Sequence, residues 1–182
     1  AISSWLDHRS EQAAREAGGR LLEANRTGDA DTRAAALLDL ADLTDGGLSA
    51  IASLQAGAAL VEAGDPMAAA DSFDAAADAA AAAGEEAIAA LAEFRAILLR
   101  APQTGYLNTV NALSVLAEPG NPMRLLALEA RAAAHIDNGE TEAARRDLQA
   151  ILGDTDATEA TRQRARELSA TLGETPAPAA AG

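Results

Sequence analysis

The sequence predicts an all-α chain of tetratricopeptide-repeat-like helical hairpins, about nine helices stacked as a solenoid with a C-terminal capping helix. Two observations predict it. Alanine makes up more than a quarter of the residues while β-branched residues are scarce, and alanine favours helix interiors because it loses no side-chain entropy there. A unit also recurs: Gly64 is followed by Ala69, Phe73 and Ala76, and Gly139 by Ala144, Leu148 and Ile151, the same offsets of five, nine and twelve. A turn glycine followed by apolar residues at fixed offsets marks stacked helix-turn-helix repeats, which hold partners. Gly28 ends a third, looser copy.

The helices follow in order. The first is expected over about residues 4–26, with Trp5, Ala13, Ala17, Leu21 and Leu22 near one stripe. After Gly28, Asp31 is the expected N-cap of a second helix carrying Ala34, Leu37, Leu38 and Leu40 to about Leu43. A third, from about Leu48 to Ala63, holds Gly57, where a neighbouring helix can come close. Gly64-Asp65-Pro66 is a stop-and-start signal: glycine for a left-handed C′ position, aspartate for the N-cap, proline where its missing N–H costs nothing. The fourth helix then runs to about Ala83. A fifth, from Glu85 to about Leu99, turns Ile88, Leu91, Phe94 and Leu98 inward and should stop before Pro102. A sixth, Tyr106 to Leu116, completes a worn repeat, since 75 residues separate Gly64 from Gly139, about two repeats. Gly120-Asn121-Pro122 should open the seventh, which ends at Gly139. The eighth spans Glu140 to Leu152 with Gly153 as C′, and Asp156 with Glu159 suggests a capping box for a ninth that caps the stack. Residues 1–172 form the expected domain, and 173–182, rich in Ala and Pro, a disordered tail.

Composition excludes several chemistries. A net charge of −14, with all 14 basic residues arginine, disfavours nucleic acid and anionic lipid. Missing lysine removes Schiff-base and Walker-A chemistry, and zero cysteines remove thiol nucleophiles, disulfides and thiolate metal sites. No membrane-length apolar run occurs. For catalysis or zinc, His8 and His135 would need partners of suitable type beside them, with carboxylates as the remaining zinc ligands, and they read as surface or half-buried imidazoles. Asp71, Asp74 and Asp78 form a carboxylate stripe that reads as a solvated face, without the glycine-turned loop of a calcium site. No catalytic motif is present, so no catalytic, cofactor or metal residues are assigned and the chain reads as non-enzymatic.

The surface with a physical reason to bind is the inner side of the repeat. In hairpin stacks the first helix of each pair lines that side, and register places Ile51, Leu54, Ala58, Val61, Leu126, Glu129, Ala133 and Ile136 there. These are mostly apolar, and the competing reading is self-packing against a terminal helix. None of them is Lys or Arg, so a hydrophobic or weakly basic peptide suits them better than a carboxylate terminus.

The pattern resembles a family of membrane-anchored tetratricopeptide-repeat-like proteins that includes the ancillary subunit of the SecYEG translocon, in an alphaproteobacterial form. The resemblance rests on Trp5 with Glu11-Gln12-Ala13-Ala14 and Ala17-Gly18-Gly19-Arg20, the Gly64-Asp65 unit with Phe73, Gly120-Asn121-Pro122-Met123-Arg124, Glu129-Ala130-Arg131, and Arg162-Gln163-Arg164-Ala165. It implies a single-pass inner-membrane protein, anchored upstream of Ala1, whose repeat domain faces the periplasm. Its implied partners are the translocon, chaperones or exported chains. The alternative is a permanent structural subunit of a cell-envelope membrane complex, and behind it an all-α enzyme with dispersed residues.

Overall fold

The structure is a computed structural model describing residues 15–16, 18–26 and 28–173. Trp5, His8 and the expected tail lie outside the described residues. Helix α1 covers the helical residues 15–16 and 18–24. It is followed by α2 (Ala30–Asp42), α3 (Gly46–Ala63), α4 (Pro66–Ala82), α5 (Glu86–Thr104), α6 (Tyr106–Leu116), α7 (Arg124–Asp137), α8 (Thr141–Leu152) and α9 (Glu159–Thr171). Among the described residues there is no strand. The chain divides into two compact units, Ala1–Arg100 and Ala101–Gly182.

Within the first unit α2 packs on α3 and α3 on α4. The turn between α3 and α4 is built as its sequence dictates. Gly64 takes a left-handed conformation (φ 87°), its N–H donates to the Val61 carbonyl at 3.1 Å, and the Asp65 N–H donates to the Leu60 carbonyl at 2.9 Å. These two bonds satisfy carbonyls that a helix end leaves orphaned. The Asp65 carboxylate then accepts the Ala68 N–H at 3.0 Å, and Pro66 starts α4. Ala69, Ala70, Phe73 and Ala96 form the core, with Leu54, Leu60 and Leu99 packed against them. Towards the chain start, Leu37, Ala56 and Ala24 form a second cluster.

Within the second unit α6 packs on α7, α7 on α8, and α9 on both α7 and α8. Gly139 repeats the turn: it is left-handed (φ 79°), donates to Ile136 at 3.0 Å, and Glu140 donates to His135 at 2.8 Å. The core is Leu128, Ala132, Leu148, Ile151, Ala157 and Ala165. All six residues at the repeat offsets, Ala69, Phe73, Ala76, Ala144, Leu148 and Ile151, are buried. The recurrence in the sequence is thus a recurrence of core positions.

Several local expectations are corrected. Asp29, not Asp31, caps α2: its carboxylate accepts the Thr32 N–H at 2.8 Å and hydroxyl at 2.9 Å, and these bonds hold its pKa below the ordinary value, the backbone bond contributing most. Helix α5 runs through Pro102 to Thr104. Near a C-terminus the proline forfeits only the bond its own N–H would make, and the Gly105 N–H still reaches the Ala101 carbonyl at 3.2 Å. Helix α7 opens at Arg124 instead of directly after Gly120, because the Asn121 side chain accepts the Met123 N–H at 2.8 Å and spends one more turn before the helix. Thr158 replaces Asp156 as the cap of α9, accepting the Thr161 N–H at 3.1 Å, while Glu159 pairs with Arg166 at 2.8 Å. Gly153 ends α8 in a right-handed conformation (φ −86°), so its left-handed freedom is unused. The turn before α5 was not foreseen: Gly84 (φ 76°) and Glu85 donate to Ala81 at 3.1 Å and Ala80 at 2.9 Å, the same motif as at Gly64.

Candidate functional site

In the first unit an apolar cleft of about 310 Å³ is lined by Ala58, Val61, Phe73, Arg95, Leu98 and Leu99. Each wall follows from helical spacing. Ala58 and Val61 lie three apart on α3, Arg95 and Leu98 three apart on α5, and so each pair shares a face. Phe73 of α4 forms the floor and is only 2% exposed, whereas Val61 is 46% and Leu98 42% exposed. Of the four positions expected on α3, Ala58 and Val61 line this cleft. Leu54 packs into the core below it, and Ile51 is exposed but not among the lining residues.

Arg95 was not among the expected site residues. Its guanidinium carbon stands 5.5 Å from the centre of the Phe73 ring, a cation-over-ring geometry. The lining is read by register from Gly64 and Gly139 alone, and α5, the first helix of the worn pair, is placed by neither. The available signal was its place between Leu91 and Leu98, four before and three after, a cation on an apolar stripe. Three acids of α3 and α4 are engaged by arginines. Arg33 of α2 pairs with Glu62, and Arg100 bridges Asp71 at 2.7 Å and Asp74 at 2.6 Å. Two members of the aspartate stripe thus tie α4 to α5, which corrects the purely solvated reading. Among the described residues Arg95 has no carboxylate partner.

The positions expected on α7 belong to the second unit. Glu129 is held by Arg164 of α9 through two bonds of 2.7 and 3.0 Å, so the terminal helix covers this part of the face. Leu126 is 40% exposed and lines a hollow of about 790 Å³ at the loop ends with Asn121, Arg124, Asp154 and Thr161. Ala133 and Ile136 are half-buried.

A polar cluster lies among α6, α7 and α8. The Arg131 guanidinium donates to both Asp147 oxygens, at 2.8 and 2.7 Å, and to the Ser114 hydroxyl at 2.9 Å. His135 Nδ1 and the Tyr106 hydroxyl share a hydrogen bond of 2.8 Å, with His135 Nε2 3.7 Å from Asp147. His135, expected at the surface or half-buried, is buried beside Tyr106 and Asp147. It is 9% exposed, and burial pushes its pKa below the ordinary value, against the opposing pull of Asp147. Arg131 is held charged, its pKa raised by the bonds to Asp147, and burial raises the Tyr106 phenol. At 3.7 Å the Asp147 carboxylate is beyond hydrogen-bond distance of His135 Nε2, so the bond that orients the ring is the one to Tyr106. The cluster ties three helices together. Among the described residues no group of three His, Asp or Glu is placed to hold a metal, and no helix is long and apolar enough to cross a membrane.

Comparison with known proteins finds no matching family model, no matching curated protein and no matching solved structure.

Proposed function

We propose that the chain is a non-catalytic protein-interaction module of the tetratricopeptide-like helical-hairpin kind, whose docking surface is the apolar cleft of the first unit. The observation that carries this reading is the pairing of exposed Val61 and Leu98 across a floor made by buried Phe73. An open apolar depression on a rigid helical scaffold suits a side chain of another polypeptide. The buried core beneath the cleft, Ala69, Ala70, Phe73 and Ala96, supplies that rigidity, and the matching turns at Gly64 and Gly139 support the repeat reading. The residue pattern extends the proposal to a periplasm-facing adapter that meets the secretion translocon, chaperones or newly exported chains. This extension rests on the resemblance alone.

A photocrosslinking residue placed at Val61 of the full chain, with Asp78 on the exposed side of α4 as the control position, tests both levels. The proposal expects polypeptide adducts at position 61 that Leu98→Asp abolishes. Equal labelling at both positions would end it. Adducts drawn from the translocon, chaperones or exported chains support the envelope assignment, and adducts with cytoplasmic proteins alone contradict it.

A further inference from the structure

Resting on that proposed docking role, the geometry points to the chemistry of the partner: a segment that sets a bulky apolar side chain into the cleft and an acidic side chain, one or two residues away, against Arg95. We infer this from the local distribution of charge. The chain as a whole carries −14, and its general field disfavours an acidic partner. At the cleft itself the balance is different, because its lining holds no carboxylate and one cation, Arg95, while nearby Glu62 is paired with Arg33 and Asp71 and Asp74 share Arg100. Arg95 is left as the cation at the mouth, poised over the Phe73 ring. A guanidinium matches a planar acceptor through its fork of N–H groups, which a carboxylate supplies.

The acid should come from a side chain rather than a chain terminus. A terminal carboxylate sits on the same residue as the last side chain, so seating that side chain would draw the charge towards Ala58, Val61, Leu98 and Leu99, where no second cation lines the cleft. Burying it there with one exposed partner is unfavourable. A neighbouring Asp or Glu reaches the rim and stays hydrated.

The test is an array of end-capped random peptides probed with the full chain, followed by titration of selected peptides and of their Asp→Asn and Asp→Lys forms. The inference expects selected peptides to place Asp or Glu within two residues of Leu, Ile or Phe. Replacing that acid by Asn, or Arg95 by Gln, should weaken binding about threefold to fivefold, the size of a rim-exposed ion pair. Each change should remove the effect of the other, and Arg95→Lys should retain most of it. Arg95→Glu should reverse the preference towards the Lys peptide. Circular dichroism of the exposed-site Arg95 variants confirms folding. Apolar peptides that bind without acid preference would overturn the inference and leave the docking role standing. Binding that requires a free terminal carboxylate, or self-association of the chain abolished by Val61→Asp, would overturn it in favour of those occupants. If no peptide is retained and Leu98→Asp changes no crosslink from position 61, the docking role itself falls.

Discussion

Phe73 rests on the bare backbone of Gly57: a Cβ built at residue 57 would stand 2.7 Å from Cε1 and 2.8 Å from Cδ1 of the ring. The closeness is what lets α4 seat a ring as the floor of the cleft. The second hairpin meets the same problem with different residues. Seven positions before its turn glycine stands Ala132, and nine after it Leu148, both in one core cluster. A methyl group on one side goes with the smaller side chain on the other. Gly57→Ala should therefore destabilise the first unit, overpacking costing about 1–3 kcal/mol against roughly 1 kcal/mol of gained helix propensity. Adding Phe73→Leu should recover part of the loss. Urea denaturation of the two variants checks both, and a Gly57→Ala chain as stable as the wild type would refute the tight contact.

The turn glycines divide by conformation. Gly64 and Gly139 are left-handed, at φ 87° and 79°, so Gly64→Ala and Gly139→Ala should each cost about 1–2 kcal/mol. Gly47 lies within α3 with no positive φ and nothing within 4 Å of an added Cβ. Gly47→Ala should stabilise by about 0.5–1 kcal/mol. Thermal unfolding of the three variants should move in these opposite directions.

Much of this fold is legible before any coordinates, and the reasons are local. The Gly64-Asp65-Pro66 turn encodes each step of its geometry in residue chemistry, and the offsets from Gly64 and Gly139 name buried positions because one hairpin has one way to fold its second helix onto its first. What escaped the sequence depends on competition or on distance. Asp29 and Asp31 are both competent caps, and the hydroxyl of Thr32, three residues on, favours Asp29. Thr158 displaces Asp156 because the Asp154 side chain already takes the Asp156 N–H at 2.8 Å. The cleft was half legible: Ala58 and Val61 follow from periodicity, but Arg95 comes from another helix, 22 residues beyond Phe73. Composition likewise could not show that Arg131, Asp147, His135 and Tyr106 converge.

Asp147 and Arg131 form a buried pair whose members are unequal to losing each other. Asp147 is 6% exposed and gives both oxygens to the guanidinium, so Asp147→Ala strands a half-buried cation and should cost about 3 kcal/mol. The double variant Arg131→Met/Asp147→Leu removes both charges and should cost less than Asp147→Ala alone. Denaturation of the single and double variants measures the coupling. A double variant less stable than either single one would mean that the pair does more than offset its own desolvation.

The same cluster fixes a pH dependence whose sign is set by which neighbour wins at His135. Asp147 and Glu140 favour the imidazolium, Arg131 and Arg146 oppose it, and burial opposes it most, leaving the folded pKa below the ordinary 6.5. In the unfolded chain the ring protonates first as pH falls through about 6.5. Stability from this group is therefore complete above that value, declines as pH drops towards the folded pKa, and levels off below it. The carboxylates whose pKa values are also lowered, Asp29, Asp154 and Glu159, take up protons in a more acid range, so the two effects separate. Urea midpoints measured between about pH 7.5 and pH 5 should fall for the wild type and stay nearly level for His135→Gln. The opposite slope, stability rising on acidification in the wild type alone, would show that Asp147 captures an imidazolium despite its bonds to Arg131.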